Sequence, residues 1–376
     1  MKRILIIINS IGYGGAERAL VNILSQKNLY QDIEVHVLLL DDEPIVRELP
    51  QNVNLIIANS KRSLFLSGLN VYRHVKNMRP DLCVSFLVRA NVCNAIVGKW
   101  VRRYPTVICE RMHLSSHFDN QFSGVKRIIA DIIPKICYRL ADTALGVSTG
   151  VTTNLVNTYN VDKRRAATIF NPYPIKDIIA LGQKSPEFSL PDEFVVSVGR
   201  LTKSKNTKLL INAFLASSEP APLVVLGTGE LQEELVEYIS EKKVNDRVML
   251  LGYAKNPYAV VSRAKYYISA STNEGFPNAL LEAMVLGKAV IMSDCPSGPA
   301  EILAGSYTFT ARGVEMAEYG VLVPLNSSAM LTEAINCFQT PEVVEHYTKQ
   351  SKLRSFDYSI EKIANDYWTL FKKKMC

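Results

Sequence analysis

The sequence predicts an α/β protein built from two Rossmann-like domains. Three observations carry this. The chain has 376 residues, more than one ordinary hydrophobic core serves, so two domains are expected. Short apolar runs alternate with helical patterns from residue 4 to residue 323, the order that builds parallel sheets with crossover helices. Several of those runs end in turns that combine glycine with charged residues and then open a helix, at 12–18, 199–206, 227–231 and 274–282.

Composition narrows the class. With 48% hydrophobic and 21% charged residues the chain reads as globular. Its seven cysteines are scattered, odd in number and never spaced Cys-x-x-Cys. Neither a zinc site nor a disulfide framework is expected, and a reducing cytoplasm is. Met1-Lys2-Arg3 precedes an apolar run at 4–8 that is too short for a leader peptide. No stretch approaches the ~20 apolar residues that span a bilayer. The net charge of +7 calls for an anionic partner: nucleic acid, an acidic membrane surface or a phosphorylated substrate.

In the first domain strands are expected at 4–8, 34–40, 54–57, 82–86, 106–109, 143–147 and 167–170. The turn Gly12-Tyr13-Gly14-Gly15 after the first lets backbone approach a ligand closely, although its spacing is not G-x-G-x-x-G. Glu110, Arg111 and His113 follow the strand at 106–109, on the loop where open α/β sheets place ligands, and all three are candidates. Residues 123–140 mix apolar side chains with Lys126, Arg127, Lys135 and Arg139, and Pro134 is expected to kink or split this helix. Trp100, Arg102, Arg103 and Tyr104 add a second basic-aromatic patch. Two readings stand: a basic amphipathic helix on an anionic membrane, or a packed helix with a solvated basic face.

Asn171-Pro172-Tyr173-Pro174 breaks the pattern, and a linker is expected over 171–190. The second domain opens with a strand at 194–199, then Arg200 and Lys205 flank a strand-to-helix turn of the kind that aims charge and backbone donors at phosphates. A strand at 223–226 runs into Gly227-Thr228-Gly229-Glu230, with Glu230 expected in the next helix's first turn, where a carboxylate is favoured. A strand at 248–251 precedes Gly252-Tyr253. The strand at 266–270 leads to Glu274-Gly275-Phe276-Pro277-Asn278-Ala279-Leu280-Leu281-Glu282-Ala283. Pro277 suits a first helical position. Glu274 then lies on the loop and Glu282 about a turn and a half into the helix, reaching one cleft from two elements. The first-turn N–H groups at Gly275–Ala279 form an anion site between them. Strands at 289–293 and 320–323 complete the set, and a last helix at 359–372 carries Tyr367, Trp368 and Phe371 as core packing.

The Glu-x7-Glu spacing within Glu-Gly-Phe-Pro-Asn-x-Leu-Leu-Glu-Ala resembles the signature of retaining, nucleotide-sugar-dependent glycosyltransferases of family 4, also called glycosyltransferase group 1. Gly-Arg-Leu-x-x-x-Lys-Asn at 199–206 and Gly-x-Gly-Glu at 227–230 match the same family. The resemblance is strong over 199–323 and looser before it. It implies the GT-B fold, two Rossmann-like domains facing across a cleft: an acceptor-binding domain at 1–170, the linker, a nucleotide-sugar domain at 191–356, and a helix at 357–376 returning to the first domain. It further implies that Arg200 and Lys205 hold the donor diphosphate, that Glu274 holds the transferred sugar and that Glu282 holds the ribose. Gly14 and Gly15 would lie near acceptor and donor phosphates, Gly227 and Gly229 beside the nucleotide, and the base near Tyr253. A His or Glu of the 110–113 loop is often functional in this family. Retention is implied, the leaving phosphate taking the acceptor's proton. No Asp-x-Asp motif is present, so no metal and no cofactor are expected. A UDP-hexose or UDP-N-acetylhexosamine leads as donor, with GDP-mannose next. A lipid-linked or polysaccharide acceptor is implied. Ser-Gly-Pro-x-Glu-Ile at 297–302 points to lipopolysaccharide, O-antigen or related surface-glycan biosynthesis, on the cytoplasmic face of the inner membrane. Two alternatives fit less of the sequence. A UDP-sugar 2-epimerase shares the architecture, but its acid/base histidine and carboxylate set is not evident. A non-catalytic nucleic-acid binder would use the charge, but the cations are dispersed and form no recognisable module.

Overall fold

The computed structural model describes residues 1–101 and 104–376. The chain forms two compact units, Met1–Tyr173 with Tyr358–Cys376, and Pro174–Asp357.

The first unit holds a seven-stranded parallel sheet. Its strands are β1 Lys2–Ile8, β2 Ile33–Leu39, β3 Val53–Ile57, β4 Leu82–Phe86, β5 Thr106–Glu110, β6 Thr143–Gly146 and β7 Ala166–Thr168, in the order β3-β2-β1-β4-β5-β6-β7. β1 is apolar from Ile4 to Ile8 and wholly buried there, because a central parallel strand is covered on both faces. The order reverses between β1 and β4, and ligands of open α/β sheets bind outside the strand ends at such a point. The last helix, Ile360–Met375, packs into this unit's core. Trp368 stacks on Tyr30 with ring centroids 4.4 Å apart and donates its indole N–H to the Ile23 carbonyl at 3.1 Å. Its neighbours Tyr367 and Phe371 are buried in the same cluster, so the aromatic stripe is core.

The second unit repeats the plan with β8 Val195–Val198, β9 Leu223–Leu226, β10 Val248–Gly252, β11 Tyr266–Ser269, β12 Ala289–Ser293, β13 Glu315–Met316 and β14 Val321–Val323. The order is β10-β9-β8-β11-β12-β14-β13, with only β13 antiparallel. Here the reversal lies between β8 and β11.

Local expectations shift in four places. Within 171–190 the chain forms a helix, Ile175–Gly182, whose Ile175 and Ile178 are buried. Pro134 does not split its helix, which runs unbroken over Gly124–Cys137. The proline sits in the last turn, where it removes one backbone bond, and its ring is buried. Glu230 precedes its helix, Gln232–Glu241, rather than entering it; Glu233 and Glu234 take the first turn. Tyr104 is buried and not part of a surface patch, while Trp100 is exposed; Arg102 and Arg103 lie outside the described residues.

Candidate functional site

The second unit brings three separated stretches together at its reversal point. After β8, residues 203–205 form one turn of tight helix and Asn206 turns left-handed at φ 52°. Ser204 is bound by the loop after β11: the Thr272 N–H donates to the Ser204 carbonyl at 2.7 Å. Lys205 Nζ then lies 2.5 Å from Glu274 Oε1, both side chains largely shielded. This joins residues 69 positions apart in the chain. Arg200, beside them in sequence, is exposed and makes no ion pair among the described residues, so its charge is available to a ligand.

A third stretch supports this loop from behind. Ser297 Oγ donates to the Glu274 carbonyl at 2.6 Å and to the Gly275 carbonyl at 3.3 Å. Gly298 sits at φ 95°, and a Cβ there would come 2.4 Å from Pro277 Cδ, so glycine alone fits the approach. Pro277 itself caps the helix Asn278–Val285, one residue earlier than its expected place. Phe276 is buried at the turn. Asn278 and Ala279 open the helix, whose first-turn N–H groups have no partner within it. Glu282 is buried on this helix.

Tyr267 is buried on β11. Burial chiefly, then the charges of Glu274 and Glu282, push its phenol well above the ordinary range. Ser297 was read only as part of a pathway pointer, and the structure makes it the support of the Glu274 loop.

The glycines divide by what surrounds them. At Gly227, φ 132°, a Cβ would fall 1.9 Å from the Gly199 carbonyl oxygen, and at Gly229 it would fall 2.3 Å from the Leu201 carbonyl oxygen. These two let the turn after β9 lie against the turn after β8, sealed by Leu201 N–H to Thr228 O at 2.9 Å. The packing of one protein backbone on another is therefore sufficient reason for both. In the first unit a Cβ on Gly12 meets nothing within 4 Å, and on Gly14 it meets only the mobile end of Glu17. Open space therefore lies at Gly12, and Gly15 opens the helix Gly15–Ser25. Tyr253 is exposed after Gly252, which turns at φ 76°.

The strand β5 extends one residue further than expected and takes in Glu110, leaving Arg111 and His113 on the loop after it. Glu110 is buried, accepting from the Tyr138 hydroxyl at 2.7 Å and the Arg111 N–H at 2.8 Å. Burial lifts its carboxyl to about 7, against the pull of those bonds. Arg111 is buried too, donating to Tyr367 Oη at 2.7 Å and to Asn171 Oδ1. The side chains of Glu110 and Arg111 are thus committed to the interior of their unit. His113 is not in an open loop: it caps the helix Leu114–Gln121, its Nδ1 accepting from the Ser116 N–H and lying 2.8 Å from Ser116 Oγ. Burial lowers its pKa, so the ring is neutral, with the remaining proton on Nε2. Among the described residues no group of three or more His, Cys, Asp and Glu is placed to hold a metal ion.

Comparison with known proteins gives this geometry a context. Residues 183–352 match the family described as glycosyl transferases group 1. Over 97% of its length the chain is 29% identical to a Campylobacter jejuni protein, N-acetylgalactosamine-N,N'-diacetylbacillosaminyl-diphospho-undecaprenol 4-alpha-N-acetylgalactosaminyltransferase, covering 98% of it. It is 22% identical to the amylovoran biosynthesis glycosyltransferase AmsD of Erwinia amylovora, across 98% of this chain and 99% of that one. The crystal structure of Anabaena HepE in complex with UDP superposes with a TM-score of 0.76 at 22% identity, covering 99% of this chain and 100% of that chain. The fold is therefore GT-B, with two Rossmann-like units. The relatives are glycosyltransferases of bacterial lipid-linked glycan and exopolysaccharide synthesis, and they favour neither the epimerase nor the nucleic-acid reading.

Proposed function

We propose that the protein is a retaining, metal-independent glycosyltransferase of family 4. It moves a hexose or N-acetylhexosamine from a UDP-sugar to a lipid-linked glycan in bacterial surface-glycan synthesis. The observation that carries the reading is the Lys205–Glu274 ion pair, 2.5 Å long, at the strand reversal of the second unit and beside exposed Arg200. In this reading Arg200, Lys205 and the helix N-terminus at Gly275–Ala279 face the donor diphosphate. They stabilise the charge that develops on its leaving oxygen. Glu282 accepts the ribose hydroxyls, since an ionised carboxylate accepts and does not donate. Glu274 accepts from the transferred sugar while Lys205 fixes its orientation. As the glycosidic bond to the phosphate breaks, a leaving phosphate oxygen takes the acceptor hydroxyl's proton. The new bond then forms on the same face. Gly14 and Gly15 leave room for acceptor and phosphates, Gly227 and Gly229 keep the nucleotide-side turn close, and the base lies near Tyr253. His113 presents Nε2–H to a ligand, and Glu110 and Arg111 brace the end of β5 before it through Tyr138, Tyr367 and Asn171. The UDP-bound HepE structure supports the choice of nucleotide, and the Campylobacter relative's diphospho-undecaprenol substrate supports the acceptor class. The test is transfer itself: purified protein, a UDP-sugar panel and a polyprenyl-diphosphate glycan, with the product's anomeric configuration read by NMR. An α-linked product from an α-linked donor is expected; an inverted product removes the mechanism.

The acceptor's lipid implies a membrane, and the proposed location is peripheral, at an anionic cytoplasmic face. Supporting this, the helix Gly124–Cys137 turns Val125, Ile128, Ile129, Ile132 and Ile136 outward, each 45–70% exposed. Lys126 and Arg139 are exposed at its two ends. An apolar stripe flanked by cations is what an interfacial helix presents to anionic lipid. No described helix is long and apolar enough to cross a membrane. The protein is expected to co-float with vesicles containing phosphatidylglycerol, and the pair Ile128→Asp and Ile132→Asp to reduce this about tenfold or more. Equal flotation of the double variant would discard this surface.

A further inference from the structure

The chain's charge is divided unevenly between its two units. The first carries 26 Lys and Arg against 15 Asp and Glu, and the second 17 against 21. Cations that are dispersed in the sequence are gathered by the fold. The strands of the first sheet are parallel and therefore all start at one edge. Ahead of those starts stand Arg79 for β4, Lys99 for β5, Arg139 for β6, and Lys163 and Arg165 for β7. These four strands are neighbours in the sheet, so at roughly 4.8 Å between strands the row spans about 14 Å. All five side chains are exposed, and none makes an ion pair among the described residues. Trp100, next to Lys99 in this row, is 78% exposed.

The second unit carries the complementary pattern. The helix Gln232–Glu241 places Glu233, Glu237 and Glu241 four residues apart on one face. All three are exposed, and none makes an ion pair among the described residues. Glu241 alone acts on a cation, adding to the field at Lys208. Like charges at this spacing repel, and the chain brings no cation between them. At 1.5 Å per residue the row is about 12 Å long, close to the length of the cation row. Val236, 52% exposed, stands among the carboxylates. It lines with them a hollow of about 510 Å³ along the helix. An apolar side chain ringed by carboxylates on one unit thus matches an indole ringed by cations on the other. An apolar centre, often Trp, within a polar rim is how specific protein interfaces are built.

We infer that the chain associates with a second copy of itself, the strand-start edge of one first unit docking on the helix Gln232–Glu241 of the other copy's second unit. Trp100 seats against Val236, and the two charge rows steer and orient the approach. None of these residues belongs to the proposed donor or acceptor site, so the inference stands apart from the transfer chemistry above. Arg139 also flanks the helix proposed to face lipid, and the variants leave it in place. The experiment is sedimentation velocity of the full chain from about 1 to 100 μM in about 50 mM NaCl. Concentration-dependent association is expected, weakened about tenfold at about 300 mM NaCl, where charge pairs are screened. It is expected to weaken about tenfold in Trp100→Ala, in Lys163→Glu with Arg165→Glu, and in Glu233→Lys with Glu237→Lys. The chain that carries both reversed pairs should regain most of the lost association, which misfolding cannot produce. A chain that stays monomeric at about 100 μM, association indifferent to all variants, or a combined reversal no better than the separate ones overturns the inference. So does Trp100→Ala that loses vesicle flotation with association unchanged, since the edge then belongs to lipid. Thermal stabilisation by UDP-sugars in the same variants reports on the transferase reading separately.

Discussion

Lys205→Ala is expected to lower kcat/KM for the nucleotide sugar by about 10²–10³-fold, the usual consequence of losing one preorganised donor at a site of developing charge. The effect has two sources. The diphosphate loses a cation, and Glu274, largely shielded from water, loses its partner at 2.5 Å. An unpaired shielded charge is costly, so Glu274 should swing out toward solvent, and the sugar hydroxyls lose their acceptor. Lys205→Arg should not restore activity, because a planar guanidinium cannot occupy the space of a compact ammonium. The pair should behave as a unit. The double variant Lys205→Ala, Glu274→Ala should lose less than the product of the two single losses. Steady-state kinetics on the four proteins of that cycle check this, and strictly multiplicative losses would mean the two side chains act separately.

Gly227→Ala should destabilise the second unit by about 3 kcal/mol or more through its backbone packing alone. A Cβ 1.9 Å from the Gly199 carbonyl oxygen, at φ 132°, satisfies neither sterics nor backbone preference, and the opposing atom is backbone that cannot rotate away. For a unit of this size that loss corresponds to a fall of roughly 6–12 °C in Tm. Gly12→Ala is the contrast: a Cβ there meets nothing within 4 Å, so stability should hold or rise slightly while acceptor binding suffers. Thermal melts of the two variants separate a glycine kept for the fold from a glycine kept for a ligand. Equal Tm values for both would remove that distinction.

The contrast shows what was legible in the sequence. Buried parallel strands were, because their continuous apolar runs leave few other readings; β9 and β12 coincide with expectation at both ends. The helix Ile175–Gly182 was hidden by the prolines before it, which read as linker although Ile175 and Ile178 are buried. His113 as a helix cap was not legible, since histidine is an uncommon cap and Ser116 supplies the bond. At the candidate site the residue types could be read from family resemblance, but their joining could not. Only the three-dimensional return of the chain places Glu274 on Lys205 and Ser297 behind the loop. For the same reason the close packing of Gly227 and Gly229 on the turn after β8 was not legible. Spacing cannot tell a backbone that approaches a nucleotide from one that approaches Gly199.

The measurement that bears most directly on the central claim is thermal stabilisation of the purified protein by a panel of UDP- and GDP-sugars, with nucleotide release followed in parallel and Glu282→Ala as control. Stabilisation and slow nucleotide release with one UDP-sugar, both lost in the control, is the predicted result. If no nucleotide sugar stabilises the protein at millimolar concentration, or if Glu282→Ala responds like the parent, then Arg200, Lys205, Glu274 and Glu282 do not form a donor site.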